Sequence, residues 1–311
     1  MKKTVLLLAS MTIALMLASV VVALVATVNP ARAAFPGING KIVFARDPDG
    51  SRGPLDQEIY TIWFNGNNLT RLTNNSVKDL DPAWSADGKK IVFSSKRSGK
   101  GDIYTMNANG SNPTLITNER LIKGLASYDG EPGFSPSGGN IVFARDNRDY
   151  YSNIYKVGAN GKNLTRLTND YNYEENPAWS PNGNKIAYDQ KDPNDYVHRV
   201  VTMRPDGSGK RYLSRGEEGL FPNWSPDGSE IVAGGGGIYK INADGSELRR
   251  LTHSYLDSNP AFAPGGGKIV FSSHRDGDYD LYIMNADGTD SPQRLTNQPG
   301  DDYAPDWQPI Q

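Results

Sequence analysis

The sequence contains no cysteine. Disulfides, thiol catalysis and lipid attachment through a thiol are therefore excluded, and the stability of an exported chain must come from its core. Histidine is nearly as scarce: His198, His253 and His274 are the only three. They fall in different repeat units, which argues against a histidine-built metal centre. Positive charge is not in excess, with 33 Lys and Arg against 35 Asp and Glu. Without a basic stripe there is no basis for nucleic-acid binding. No Gly-x-Ser-x-Gly elbow, His-Glu-x-x-His pair or phosphate-binding loop occurs, so no catalytic residue is assigned.

Long apolar runs are absent except at the start. Val5 to Ala26 is uncharged over 22 residues and follows Lys2 and Lys3. Asn29-Pro30-Ala31-Arg32-Ala33 then offers an Ala-x-Ala cleavage site. Residues 1–33 are expected to be a signal peptide, and residues 34–311 one exported domain, periplasmic or extracellular. The run is also long enough to span a bilayer, so an uncleaved N-terminal anchor is the alternative. Cleavage removes Lys2, Lys3 and Arg32 and leaves 30 basic against 35 acidic residues, a net charge of −5.

What the chain has in abundance is repetition. A proline followed two residues later by an aromatic recurs as Pro82/Trp84, Pro132/Phe134, Pro177/Trp179, Pro222/Trp224, Pro260/Phe262 and Pro305/Trp307. The aromatics are spaced by 50, 45, 45, 38 and 45 residues. After most copies comes a Ser-Pro-Asp-Gly-like turn, then a β-branched run such as Ile91-Val92-Phe93. An Ile-Tyr strand such as Ile103-Tyr104-Thr105-Met106 follows, then Asn-Gly or Asp-Gly, then Leu-Thr or its equivalent. The Asn-Gly and Asp-Gly pairs accept the positive φ that tight hairpins need. Four strands at a period near 45 residues are the signature of a propeller blade. The first unit lacks its own Pro-x-aromatic strand, and the last residues supply one with nothing after it. The fold class is therefore all-β: a six-bladed propeller of four-stranded antiparallel blades, closed by the C-terminal strand joining the first blade.

These motifs resemble the TolB-like propeller family, built of WD40-like repeats of the PD40 type. Blade two carries the pattern as Pro82-Ala83-Trp84-Ser85, Asp87-Gly88, Ile91-Val92-Phe93, Ile103-Tyr104-Thr105-Met106-Asn107 and Ile116-Thr117. The resemblance covers residues 40 to 308 and extends to the propeller only, without the α/β domain that precedes it in TolB proteins. It implies a monomeric, non-catalytic binding module that docks a protein or peptide partner at the cell envelope. Contact with membrane is expected only through an uncleaved N-terminal segment.

Three residues before the repeat prolines stand Asp79, Asp129, Glu174, Asp257 and Asp302, with Gly219 in the sixth unit. In the resembling propellers the Pro-x-aromatic strand is innermost. Two readings of these acids follow. In one they form an acidic ring in the channel, receiving a basic segment of a partner or a hard cation such as Ca²⁺. In the other each pairs with backbone N–H groups, or with the arginine after the second strand: Arg46, Arg97, Arg145 or Arg275. The acid-rich stretches Asp47–Ser51 and Asp276–Asp280 have the same two readings, calcium loop or solvated turn. The longer loops Glu119–Tyr128, Asn147–Tyr151 and Asp189–His198 are where specificity is expected. The rival class of function is an enzyme, a metal-assisted lyase or hydrolase of extracellular glycan.

Overall fold

The computed structural model describes residues 37–48, 57–118, 128–147, 151–195, 197–214 and 219–310. The expected signal segment lies outside them. The described strands form six four-stranded sheets. Five are built from consecutive strands. The sixth joins Asp301–Ile310 to Ile38–Asp47, and so carries the last strand of the chain beside the first. The innermost strands are Asp301–Ile310, Asp79–Trp84, Asp129–Phe134, Tyr173–Trp179, Leu220–Trp224 and Asp257–Phe262, for blades one to six. Each touches the next in a closed cycle. This is the six-bladed propeller that the repeats predict, closed as they predict.

Six apolar clusters occupy the six seams between blades. Between blades one and two, Val43, Ala45 and Ile59 meet Trp84, Ile91, Phe93 and Tyr104. On the other face of the same first-blade strand, Ile42 and Phe44 pack toward blade six, against Ala261, Val270 and Leu281. A second strand buried on both faces needs an unbroken apolar run, and that is why the Ile-Val-Phe segments do not alternate with polar residues. Each repeat aromatic also belongs to a seam: Trp84, Phe134, Trp179, Trp224, Phe262 and Trp307 all pack against the preceding blade.

The Leu-Thr motif has a separate task. Its hydroxyl accepts an N–H in the first half of each third strand, at 2.9 Å in all six blades: Thr73 from Ile59, Thr117 from Ile103, Thr168 from Ile154, Ser214 from Val200, Thr252 from Ile238 and Thr296 from Leu281. The outermost strands pair over two residues each. Such short, polar edges resist pairing with other chains.

Candidate functional site

Every innermost strand carries a β-bulge at its proline, seen as a register shift such as Leu80/Ala83 or Gly130/Gly133. The residue before the proline has positive φ in all six blades: Asp81 50°, Glu131 56°, Asn176 53°, Phe221 53°, Asn259 49° and Ala304 49°. Asp and Asn tolerate this region, whereas Phe and Ala do not readily enter it. Bulges re-aim side chains, and here the bulge sets the residue before each proline into a central cavity of about 170 Å³. The cavity wall also includes the prolines and the residues that follow them. Its polar groups are three carboxyls, Asp81, Glu131 and Asp306, and three amides, Asn176, Asn223 and Asn259.

These groups tie neighbouring blades together. Glu131 Oε2 accepts the Asn176 N–H at 2.7 Å. Asp306 Oδ2 accepts the Trp84 N–H at 2.7 Å, and Asn223 Oδ1 that of Phe262 at 3.1 Å. Asp81 Oδ2 takes the Ser94 hydroxyl at 3.1 Å and faces the Glu131 N–H at 3.4 Å. Among the described residues none of the three cavity carboxyls is salt-bridged to a Lys or Arg. Burial raises Asp81 above the usual carboxylate range, and lifts Asp306 to about 7. Burial, followed by the charges of Glu175, Asp81 and Asp189, holds Glu131 well above that range.

The five carboxylates singled out by sequence lie elsewhere. Asp79 is fully buried and receives Ser95 Oγ at 2.5 Å, Arg97 at 2.6 Å and Asn75 at 2.8 Å. Arg145 grips Asp129 with two bonds of 2.6 and 2.7 Å. Asp257 takes Ser273 at 2.6 Å and both its oxygens take Arg275, at 2.7 and 2.8 Å. Asp302 lies 3.2 Å from Arg46, although burial still raises it to about 7. Glu174 is met by Gln190 at 3.3 Å and Lys210 at 3.2 Å. The cavity wall contains none of them. Of the two readings, the geometry is that of pairing, with the four named arginines as partners. In blade five a Cβ on Gly219 would lie 2.5 Å from the Arg199 backbone nitrogen, so no carboxylate fits there.

Two of the three acids of the Asp276–Asp280 stretch are also engaged. Asp276 accepts the Tyr282 hydroxyl, and Asp280 pairs with Arg294 at 2.5 Å. The Asp47–Ser51, Glu119–Tyr128, Asn147–Tyr151 and Asp189–His198 stretches fall partly outside the described residues. Among the described residues no three His, Cys, Asp or Glu side chains are grouped to hold a metal ion.

Sequence reading missed Asp81 and Glu131 by two residues and Asp306, which follows its proline, by four. The signal was available: before a constant proline stand Asp81, Glu131, Asn176, Phe221, Asn259 and Ala304. That position varies freely beside one that never does, as a lining position would.

The sequence matches the TolB β-propeller domain family, PD40, over residues 8–123 and 117–254. It is 30% identical over 237 residues to the Tol-Pal system protein TolB of Francisella tularensis subsp. mediasiatica (strain FSC147), covering 72% of this chain and 52% of that protein. It is 31% identical over 172 residues to the uncharacterized protein Atu1656 of Agrobacterium fabrum, covering 52% and 56% of the two. The chain thus spans about half the length of these curated relatives. Among solved structures, TolB from Acinetobacter baumannii superposes with a TM-score of 0.73 at 20% identity, covering 87% of this chain and 67% of that one. A putative TolB from Agrobacterium tumefaciens gives 0.65 at 22% identity, with 88% and 100% covered. These two similarities concern the fold.

Proposed function

The chain belongs to the TolB β-propeller family, and on that premise we propose that it is a non-catalytic binding module that docks a protein or peptide partner in the cell envelope. The docking place in this reading is the mouth of the central channel. One observation carries it: the channel wall offers Asp81, Glu131 and Asp306 with no salt-bridged cation among the described residues, while Asp79, Asp129, Asp257 and Asp302 are spent on ion pairs with arginine. A basic side chain from a partner segment would satisfy them, and charge-assisted bonds of this kind are the strong ones. Membership of the Tol-Pal system is printed for the Francisella relative, and it supports a protein partner of an envelope assembly here. Export through residues 1–33 belongs to the same proposal.

The test is cross-linking and recovery of the tagged chain from cell envelopes, beside a triple variant Asp81→Asn, Glu131→Gln, Asp306→Asn. A specific protein recovered with the wild type and lost with the variant, while the variant keeps its circular dichroism spectrum, supports the reading. Equal recovery by both moves the interface away from the channel.

A further inference from the structure

Blade four departs from the repeat in a way that the ring does not require. The residue two before each proline is Leu80, Gly130, Leu220, Ser258 or Tyr303 elsewhere, but Glu175 here. The position facing it across the strands is also unusual. It holds Ser94, Ala144 or Ser272 in blades two, three and six, and Asp189 in blade four. Glu175 and Asp189 are direct cross-strand partners. Two ionised carboxylates facing each other in a ladder repel, and Asp189 is 2% exposed. A third carboxyl, Glu131 of blade three, reaches the same place. It accepts the Asn176 N–H, while the Asn176 amide donates to both oxygens of Asp189 at 3.2 and 3.1 Å. Asp189 also accepts the N–H of Phe221, at the start of blade five's channel lining.

The surroundings do not neutralise this group. From blade two comes Asp81. Blade three adds Asp146, the Tyr128 phenol beside Asp81 and Glu131, and the mutually paired Asp129 and Arg145. Its third strand supplies only the Ser152 hydroxyl, 3.2 Å from Glu175. In blade four Lys191 is the one nearby cation among the described residues, opposite His198 in register, and Glu174 is taken by Lys210. Blade five's innermost strand, Leu220–Trp224, has no charged residue. Among the described residues, one lysine thus stands against Asp81, Glu131, Asp146, Glu175 and Asp189.

We propose that the seam between blades three and four is a proton-holding joint, in which Glu131, Glu175 and Asp189 stay packed by keeping protons at neutral pH and come apart when they lose them. Burial, then the Glu175 charge, lifts Asp189 to about 8, and burial first of all raises Glu175 and Glu131. Folded carboxyls raised above their unfolded values bind protons that the unfolded chain has released. For Asp189 that contribution is complete below its ordinary value of 3.8 and is lost as pH climbs through about 8, and the raised Glu131 and Glu175 lose theirs in the same direction. Because Glu131 lines the channel, the same protons set how negative a docked partner finds the wall. That consequence rests on the docking proposal, whereas the joint does not.

The test needs no partner. Urea unfolding of the full chain is followed from about pH 5.5 to 8.5, with the unfolding constant expected to rise about tenfold per unit for each proton held. Asp189→Asn should flatten that slope by about one proton. Amide exchange of Asn176 and Phe221, corrected for base catalysis, should speed up at least about tenfold across the same range. Asp306→Asn, across the channel, should leave that acceleration intact. If Asp189→Asn does not fold, infrared spectra of wild type and Glu175→Gln replace it. A protonated-carboxyl band near neutral pH that weakens in the variant supports the joint. Equal pH slopes in wild type and Asp189→Asn, or unchanged Asn176 and Phe221 exchange, or identical infrared bands, would overturn it.

Discussion

Removing Arg145 leaves the Asp129 carboxylate buried with no other ion-pair partner among the described residues. The pair's side chains are 4% and 2% exposed, and its two bonds are 2.6 and 2.7 Å. At that separation, attraction in a medium of effective dielectric constant near 20 is about 6 kcal/mol, much of it offset by lost hydration. The asymmetry lies in the single variants. Arg145→Met should cost about 3–5 kcal/mol, because nothing replaces the guanidinium and its stacking over Tyr155 and Phe143, 4.8 and 5.3 Å away, goes too. Asp129→Leu leaves a buried guanidinium and should cost a similar amount. The double variant should lose much less than the sum, giving a coupling of about 3 kcal/mol in a double-mutant cycle. Urea unfolding followed by tryptophan fluorescence reads all four proteins. Single losses below about 1 kcal/mol, or strict additivity, would refute the view that Asp129 is held by its arginine. So would an Asp129→Asn variant of normal stability that no longer recovers a partner, since that is the behaviour of a channel binding residue.

Other outcomes follow from the same geometry. Thr296→Val strips the acceptor from the Leu281 N–H and should cost about 1–3 kcal/mol by chemical denaturation, as an unsatisfied buried donor does. Ala304→Gly relieves a φ of 49° and should raise the melting temperature, the left-handed penalty of about 1–2 kcal/mol exceeding the entropy that glycine adds; Ala304→Val should lower it. Gln308 accepts the Lys41 N–H at 3.3 Å and donates to the Gly88 carbonyl at 2.9 Å, linking the closing strand to blades one and two. Gln308→Ala should cost about 1–2 kcal/mol, and hydrogen exchange should rise first in the Ile38–Asp47 strand.

The conserved rhythm of the repeats comes from backbone requirements, and these are local. Asn-Gly and Asp-Gly demand hairpins, Ile-Val-Phe runs demand burial on two faces, and a Leu-Thr hydroxyl recurs because every third strand has an N–H in its first half that needs an acceptor. Each of these is written in consecutive residues, so blade number, strand order and the C-terminal closure were legible from the sequence. The arginine at the end of the second strand in four blades was legible as well, and register places Arg145 opposite Asp129 and Arg46 opposite Asp302.

The functional wall was not legible in the same way. Which residue of the Asp79-Leu80-Asp81-Pro82 stretch enters the channel depends on the bulge at Leu80/Ala83, which shifts register within a strand and turns Asp81 inward while Asp79 stays with Arg97. A shift of one residue exchanges the faces of a strand, and no local pattern fixes it. The meeting of Glu131 with Glu175 and Asp189 is more remote still, because it joins two blades across a seam. Sequence by itself determined the ring, since the hairpin, burial and capping demands repeat within every unit. Only the tertiary structure decided which acids meet a cation and which, among the described residues, meet only hydrogen-bond donors, because charge compensation is set by distance through space.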